Sequence, residues 1–295
     1  MFKMAAIITT YNRKMSVIHL LELLEKQVLK SMDLSLSIIV VVDGSIDGSQ
    51  DEIRCHFPEV TIIEGDGNWW WTRSVNEGCK LAVKNGANAI LLLNDDVQLD
   101  NNYLETLLKS VEKEPNAIIG SLNITKGKEE RIFFSGAAKF QWWNGKLQRY
   151  HPFLAPYPKN LFGLHQSVVL PGRGLLIPTE VFKKIGYFDE KKLPQYKADY
   201  EFVLRANKNN IKILISWDAV IFVNVKTTGK GATFTRQSFF TFFSSFFKKH
   251  SRTNLYRNFL YYKRFYPLWA LPLLPFTAFM IAVRQLLLFL KDRKY

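Results

Sequence analysis

Three short polar clusters each follow an apolar run, and each carries oxygen atoms suited to anionic or metal-bound ligands. Asn94-Asp95-Asp96 comes after Ala89-Ile90-Leu91-Leu92-Leu93, and Asp43-Gly44-Ser45-Ile46-Asp47-Gly48-Ser49 comes after Ser37 to Val42. Thr9-Thr10-Tyr11-Asn12-Arg13 follows Ala5-Ala6-Ile7-Ile8. Asp96 with Asn94 or Asp95 offers hard oxygen ligands of the kind that hold Mg2+ or Mn2+ and, with it, a diphosphate. Asp43 can accept a hydrogen bond from the N–H of a nucleotide base. Asp-Gly and Asn-Asp are also ordinary turn residues, so each cluster taken singly reads more readily as a plain loop.

The runs before these clusters are continuous, β-branched or Leu-rich, and the segments between them carry helical spacing, as in Val17, Leu20, Leu21, Leu24 and Val28. Val60 to Ile63 reads as a further strand, and a helix is expected to begin near Gln50. Alternation of this kind predicts an α/β fold with a parallel sheet covered on both faces. Ligands of such sheets lie beyond the carboxyl ends of the strands, which is where the clusters fall. No Gly-x-Gly-x-x-Gly and no Gly-x-x-x-x-Gly-Lys follows any strand, which argues against a dinucleotide dehydrogenase and a P-loop kinase.

At 295 residues, 47% hydrophobic and 22% charged, the chain is too apolar for intrinsic disorder and long enough for one large domain or two small ones. Cys55 and Cys79 are too few for a disulfide framework or a zinc cluster, and no secretory leader is read at the start, so a reducing cytoplasmic setting is expected. The net charge of +14 is unevenly spread: residues 226–295 hold thirteen Lys or Arg against the single acid Asp292. Phe239, Phe240, Phe242, Phe243, Phe246 and Phe247 fall within an arc of roughly 160° at helical spacing. Leu255, Phe259, Tyr262 and Tyr266 repeat at helical spacing among Arg252, Arg257, Lys263 and Arg264. Aromatic stripes edged with basic residues suit an anionic membrane surface better than a nucleic-acid groove. Pro267 to Val283 is uncharged and apolar but carries Pro267, Pro272 and Pro275, so a broken hairpin or in-plane anchor is expected rather than a regular span.

Taken together and in this order, the three strand-end clusters resemble the inverting nucleotide-sugar glycosyltransferases of family 2, with the GT-A fold. Gly172-Arg173-Gly174-Leu175-Leu176-Ile177-Pro178, Ile185-Gly186-Tyr187-Phe188-Asp189 and Ala198-Asp199-Tyr200-Glu201-Phe202-Val203-Leu204-Arg205 extend the likeness to about residue 225. The fold expected is a GT-A-like nucleotide-binding sheet flanked by helices over residues 1–225, followed by a helical basic and aromatic region for membrane association over 226–295.

The resemblance assigns roles by position. It implies that Thr9, Tyr11 and Asp43 lie at the donor nucleotide, with Arg73, Asn76 and Asp95 near its sugar or diphosphate. Trp70, Trp71, Gly172, Arg173 and Gly174 fall at the donor sugar and the acceptor. Asp96 and Asn94 fall on the metal motif for Mg2+ or Mn2+, Asp199 on the catalytic base, and Arg205 on an arginine that supports the base's helix. The Trp-Trp-Thr segment at Trp70 to Thr72 belongs to a subset associated with polysaccharide assembly, often rhamnosyl transfer. The partners implied are a nucleotide-diphosphate sugar, a lipid-linked glycan acceptor at the cytoplasmic leaflet and the anionic membrane surface, with no nucleic acid. Two positions depart from the pattern: Ala198 replaces a Glu before the base, and Val223-Asn224 stands where many members place a metal-binding His, with His151 and His165 as candidate substitutes. A nucleotidyltransferase, or an inactive membrane-bound scaffold, are the competing readings.

Overall fold

The computed structural model describes residues 1–28, 34–127, 129–144, 146–224, 238–248 and 250–292. The apolar runs form β1 (Phe2–Thr10), β2 (Leu34–Asp43), β3 (Thr61–Gly65) and β4 (Ala89–Asn94), separated by α1 (Lys14–Glu25), α2 (Ser49–His56) and α3 (Trp70–Lys84). These strands pair in parallel, with β1 between β2 and β4 and β3 outside β2. Successive side chains point to opposite faces. Ile7, Ile39, Val41 and Leu92 therefore pack against Val75, Cys79 and Ala82 of α3, while Ile8, Val40, Val42 and Leu93 pack with Leu20, Leu21 and Leu24 of α1 on the other face. Gly78 lets α3 approach closely, since a Cβ there would meet the Ile7 side chain at 2.6 Å.

Beyond this half come β5 (Val97–Leu99), α4 (Tyr103–Lys113), β6 (Ile118–Thr125), β7 (Arg131–Phe134), β8 (Ala137–Gln141), β9 (Lys146–Arg149) and β10 (Leu164–Gln166). They are followed by β11 (Leu175–Pro178), α5 (Thr179–Ile185), α6 (Ala198–Lys208) and β12 (Ile213–Val223). β11 enters antiparallel between β4 and β6, so the sheet is mixed rather than wholly parallel as expected. The run that forms β11 is four residues long and flanked by Gly174, too short for any period to signal its direction. β12 lies parallel to β6, and its last residue, Val223, pairs with Val97 beside Asp96.

The C-terminal region comprises α7 (Phe239–Ser245), α8 (Leu255–Phe265), a 3-10 turn over Leu268–Leu273 and α9 (Leu274–Asp292). The six-Phe stripe does not stay on one exposed face. Phe242 and Phe246 are buried against Phe289 of α9, while Phe239, Phe240, Phe243 and Phe247 are exposed. The aromatic stripe of α8 is largely a core face: Tyr262 and Tyr266 are buried with Tyr261, and Phe140 and Trp142 pack on them with ring centroids 5.0–6.3 Å apart. The tail therefore shares the hydrophobic core of the sheet. The expected broken hairpin is instead one helix entered through a 3-10 turn. Pro272 falls in that turn and Pro275 in the first turn of α9, where no intrahelical N–H bond is lost.

Candidate active site

The loops after β1 and β2 are stitched together before any ligand is considered. Asn12 N–H donates to Ser45 Oγ at 2.9 Å, Ile46 N–H donates to Asn12 Oδ1 at 2.9 Å, and Lys14 N–H donates to Asp47 Oδ2 at 2.8 Å. Thr9 stands half-buried at the end of β1, in register with Val41 and Asn94, and Tyr11 is exposed. Thus Thr9, Tyr11 and Asn94 do gather at one sheet edge.

Asp43, expected at the nucleotide base, is held by three backbone N–H groups. Its Oδ1 accepts from Gly67 N–H at 2.8 Å and Trp69 N–H at 3.2 Å, and its Oδ2 accepts from Trp70 N–H at 2.8 Å. The carboxylate thereby caps the start of α3 from a neighbouring strand and holds Trp70 at φ 58°, in the left-handed region. Close packing enforces the same loop, since a Cβ on Gly65 would lie 2.5 Å from Asp43 Oδ1.

Asp95 and Asp96 diverge although adjacent. Asp95 is buried and spent: its Oδ2 accepts from Thr10 Oγ1 and its Oδ1 from Arg13 Nη1, both at 2.9 Å. Burial pushes its carboxyl above the ordinary range, with Arg13 opposing the rise. It thereby ties the ends of β1 and β4 together through Thr10 and Arg13. Asp96 lies 3.3 Å from the same Arg13 nitrogen. Arg13 was not singled out from sequence, because nothing in residue spacing predicts a partner more than eighty positions away.

Asp199 stands at the first turn of α6. Its Oδ2 accepts from Gly172 N–H at 3.0 Å and its Oδ1 from Tyr200 N–H at 2.9 Å. Burial pushes the carboxyl above its ordinary range, and those two hydrogen bonds and the Arg173 charge oppose the shift. Arg173 is half-buried with its guanidinium over the Phe133 ring, 5.0 Å from the centroid, and within electrostatic reach of both Asp96 and Asp199. Its buried Nη1 has no hydrogen-bond partner among the described residues. A buried guanidinium nitrogen without a partner, between two carboxylates, fits an anion entering from the cleft. Gly172 has to be glycine, because a Cβ would run into the Trp71 indole at 2.5 Å. Gly174, at φ +69°, similarly lies against Ser121.

Of the remaining expected residues, Trp71 flanks Gly172 and packs edge-on to Phe188, and Trp70 stacks on His250 with centroids 3.6 Å apart. Arg73 is exposed and lies over the Trp69 ring. Asn76 is buried in α3, and its amide grips Phe188 O at 2.9 Å, Phe188 N–H at 3.0 Å and Glu190 at 2.6 Å, so it braces the 186–190 loop. Arg205 supports α6 as expected, reaching Glu201 at 3.0 Å and the carbonyls of Ile185 and Tyr187. Neither His151 nor His165 belongs to a group of three or more His, Cys, Asp or Glu that could hold a metal among the described residues. His165 stacks on Trp217 and His151 bonds Ser135 Oγ. Val223, in the region where a histidine would complete a metal site, is buried and apolar. Among the described residues no group of three or more His, Cys, Asp or Glu could hold a metal. A cation here would have Asp96 as its carboxylate, with Asn94 beside it, and would need its other oxygens from a ligand such as a diphosphate. That donor chemistry suits Mg2+ or Mn2+.

A mixed sheet with polar strand ends facing an acidic helix start has the architecture of the GT-A glycosyltransferases. Solved structures of that type superpose on the chain: Staphylococcus aureus TarS (1-349) with TM-score 0.53 and 16% identity over 76% of this chain and 61% of TarS. GalNAc-T7 with UDP, GalNAc and Mn2+ gives TM-score 0.60 and 14% identity over 75% of this chain and 44% of that one. Glycosyl transferase family 2 matches residues 5–170, more than half of the sequence, and the chain belongs to this family. Among curated proteins, the dTDP-rhamnosyl transferase RfbF of Shigella flexneri is 24% identical over 212 residues, 71% of this chain. The chain spans 65% of that relative's length.

Proposed function

We propose that the protein is an inverting glycosyltransferase that moves a sugar from a nucleotide-diphosphate donor to a hydroxyl of a lipid-linked glycan in cell-surface polysaccharide synthesis. The observation that carries this reading is the placement of Asp199, held by two backbone N–H groups, across Arg173 from Asp96. Inverting transfer needs a base for the acceptor proton and positive charge for the departing diphosphate. A carboxylate made more basic by burial is suited to the first task, and Arg173 to the second. Asp96, with Asn94, would hold Mg2+ or Mn2+, which supplies further positive charge to the diphosphate when bound. Trp71 and Gly172 border the space where sugar and acceptor would meet.

The likeness to the dTDP-rhamnosyl transferase of Shigella makes dTDP-rhamnose the first donor to test, and the UDP of the GalNAc-T7 structure makes UDP sugars the second. The exposed apolar face of α9 supports residence at the cytoplasmic face of a membrane. Leu268–Leu287 is long and apolar enough to cross one, at a mean hydropathy of 1.6. The test is a screen of dTDP, UDP and GDP sugars with and without Mn2+, followed by NMR assignment of the product's anomeric configuration. Inversion from one donor class is expected. Retention of configuration, or binding of nucleotide with no transfer to any glycan, overturns the reading.

A further inference from the structure

A cleft separate from the strand-end carboxylates lies between the loop from Leu193 to Lys197 and the segment that leads into α8. It is a shallow surface cleft, open to solvent and with closed room for only about one water molecule, and Lys197, Arg252, Arg257 and Asn258 line it. Lys197 is the residue immediately before α6, two positions from Asp199, and takes a left-handed backbone with φ 68°. Its ammonium lies over the Tyr261 and Tyr262 rings, at 4.9 and 4.5 Å, and donates to Asn258 Oδ1. These are neutral partners. Among the described residues no carboxylate pairs with Lys197 or with Arg252, whose charge acts on Lys197 directly. Burial, with that neighbouring charge, pulls the Lys197 ammonium down to about 7. Two cations in one cleft without a counter-ion repel each other, and an entering anion would relieve both.

The loop that forms the floor also has fixed ties to the catalytic side. Thr72 N–H donates to Pro194 O at 3.1 Å, Thr72 Oγ1 to Leu193 O at 2.6 Å, and Trp71 N–H to Gln195 Oε1 at 2.9 Å. An anion seated on Lys197 would thus lie beside the same Trp71 and α6 start that border Asp199. The other wall belongs to the segment that continues into α9, whose exposed Phe276, Phe279, Met280, Leu287 and Leu290 fall within roughly 120° of the helix. A ligand with an anionic head, an attached sugar and a hydrocarbon chain would meet a suitable surface for each part.

We propose that this cleft is a diphosphate-binding site, and that it seats the diphosphate of the lipid-linked acceptor so that the sugar attached to it presents a hydroxyl to Asp199. This rests on the glycosyltransferase reading for the identity of the acceptor, but the binding site stands on Lys197 and Arg252 alone. The acceptor accommodated in this way is one whose reacting sugar is close to the lipid diphosphate.

The test is titration calorimetry on the full-length protein with geranyl diphosphate, geraniol and dTDP, repeated on Lys197→Met and Arg252→Gln. Geranyl diphosphate is expected to bind and geraniol not to. Each substitution should weaken geranyl diphosphate by about tenfold or more, the scale of one charge-assisted hydrogen bond, with dTDP affinity unchanged. Undiminished binding in both variants overturns the proposal, as does an equal loss for dTDP, which would mean that the donor side is being read. Displacement of geranyl diphosphate by phosphatidylglycerol vesicles, with the same sensitivity to the variants, would assign the cleft to membrane headgroups and also overturn it. If dTDP, UDP and GDP all fail to bind the wild type, the donor reading fails while the geranyl diphosphate titration still reports on the cleft. Arg252→Gln, at a less buried position, keeps the test decisive if Lys197→Met does not fold.

Discussion

At the strand ends, Asp43 and Asp95 are gripped by N–H groups of the loop into α3, by Thr10 and by Arg13, whereas the surroundings of Asp199 are assembled from two distant stretches of chain. Arg264 of α8 pairs with both Glu201 and Asp189, Lys197 reaches Asn258, and Trp70 stacks on His250. The first arrangement is set once the sheet forms. The second includes ties from α8 to Glu201 and Lys197, so the helix that carries Asp199 is braced by the C-terminal quarter. This difference explains how a tail rich in aromatic and basic residues can affect chemistry as well as location.

The largest effect expected is from Asp199→Asn, which removes the base while keeping its size. Transfer should fall by about 10³-fold, within the range for lost general-base catalysis, with donor-nucleotide affinity preserved. The pH profile sharpens the point. A base works when deprotonated, so activity should rise with pH through the Asp199 pKa, and burial places that limb above the range of an ordinary aspartate. Arg173 opposes the rise, so Arg173→Met should move the acid limb to still higher pH. A limb that stays in place, or moves down, would separate Arg173 from Asp199.

Gly172→Ala should be next in size, because the added Cβ meets the Trp71 indole at 2.5 Å and the Asp199 side chain lies just beyond. The expected outcome is a fall in turnover of about 10²-fold, comparable to a displacement of the base by an ångström or so, with donor affinity nearly unchanged. Equal losses in turnover and donor affinity would show that the two sides of the cleft are not separable.

Asp43→Ala and Arg264→Met test the two modes of construction directly. The first leaves the N–H groups of Gly67, Trp69 and Trp70 without their acceptor and should cost about 2 kcal/mol of stability together with donor affinity. The second leaves buried Glu201 with Arg205 alone and should cost about 2 kcal/mol, lowering turnover without touching donor affinity. Denaturant titration and donor binding measured on both variants check the contrast.

How much of this was legible in the sequence follows the same division. Strand ends are readable because continuous apolar runs stop where polar clusters begin, so Thr9, Asp43, Asn94 and Asp96 were found together. The partners of each side chain were not readable: Asp43 and Asn76 were expected at the donor, and both are committed to backbone or loop groups. An aromatic stripe at helical spacing says that one face is covered, not what covers it. The same residue types therefore make α8 a core helix through Tyr262 and Tyr266, and leave α9 with an exposed face. Lys197 and Arg13 carried no sequence signal, since their partners lie 61 and 82 positions away.

The smallest effect on catalysis, though not on location, is expected on α9. Phe276, Phe279 and Leu287 are 65%, 62% and 61% exposed on one face, so their replacement by Ser removes no core contact. Each such side chain, when taken into a bilayer interface, contributes about 1–2 kcal/mol, so the triple variant should lose most of its binding to phosphatidylglycerol vesicles at any salt concentration. Its denaturation midpoint and its turnover on a water-soluble acceptor should be close to wild type. Tyr262→Ala is the matched control, because the same kind of residue faces the core on α8, and it should cost about 3 kcal/mol of stability. Charge reversal at the exposed Lys248 and Lys263 should weaken vesicle binding mainly at low salt, where the surface potential reaches furthest. If the α9 variant keeps its vesicle affinity while Tyr262→Ala alone loses it, membrane contact is an indirect product of folding, and the exposed apolar face of α9 serves another purpose.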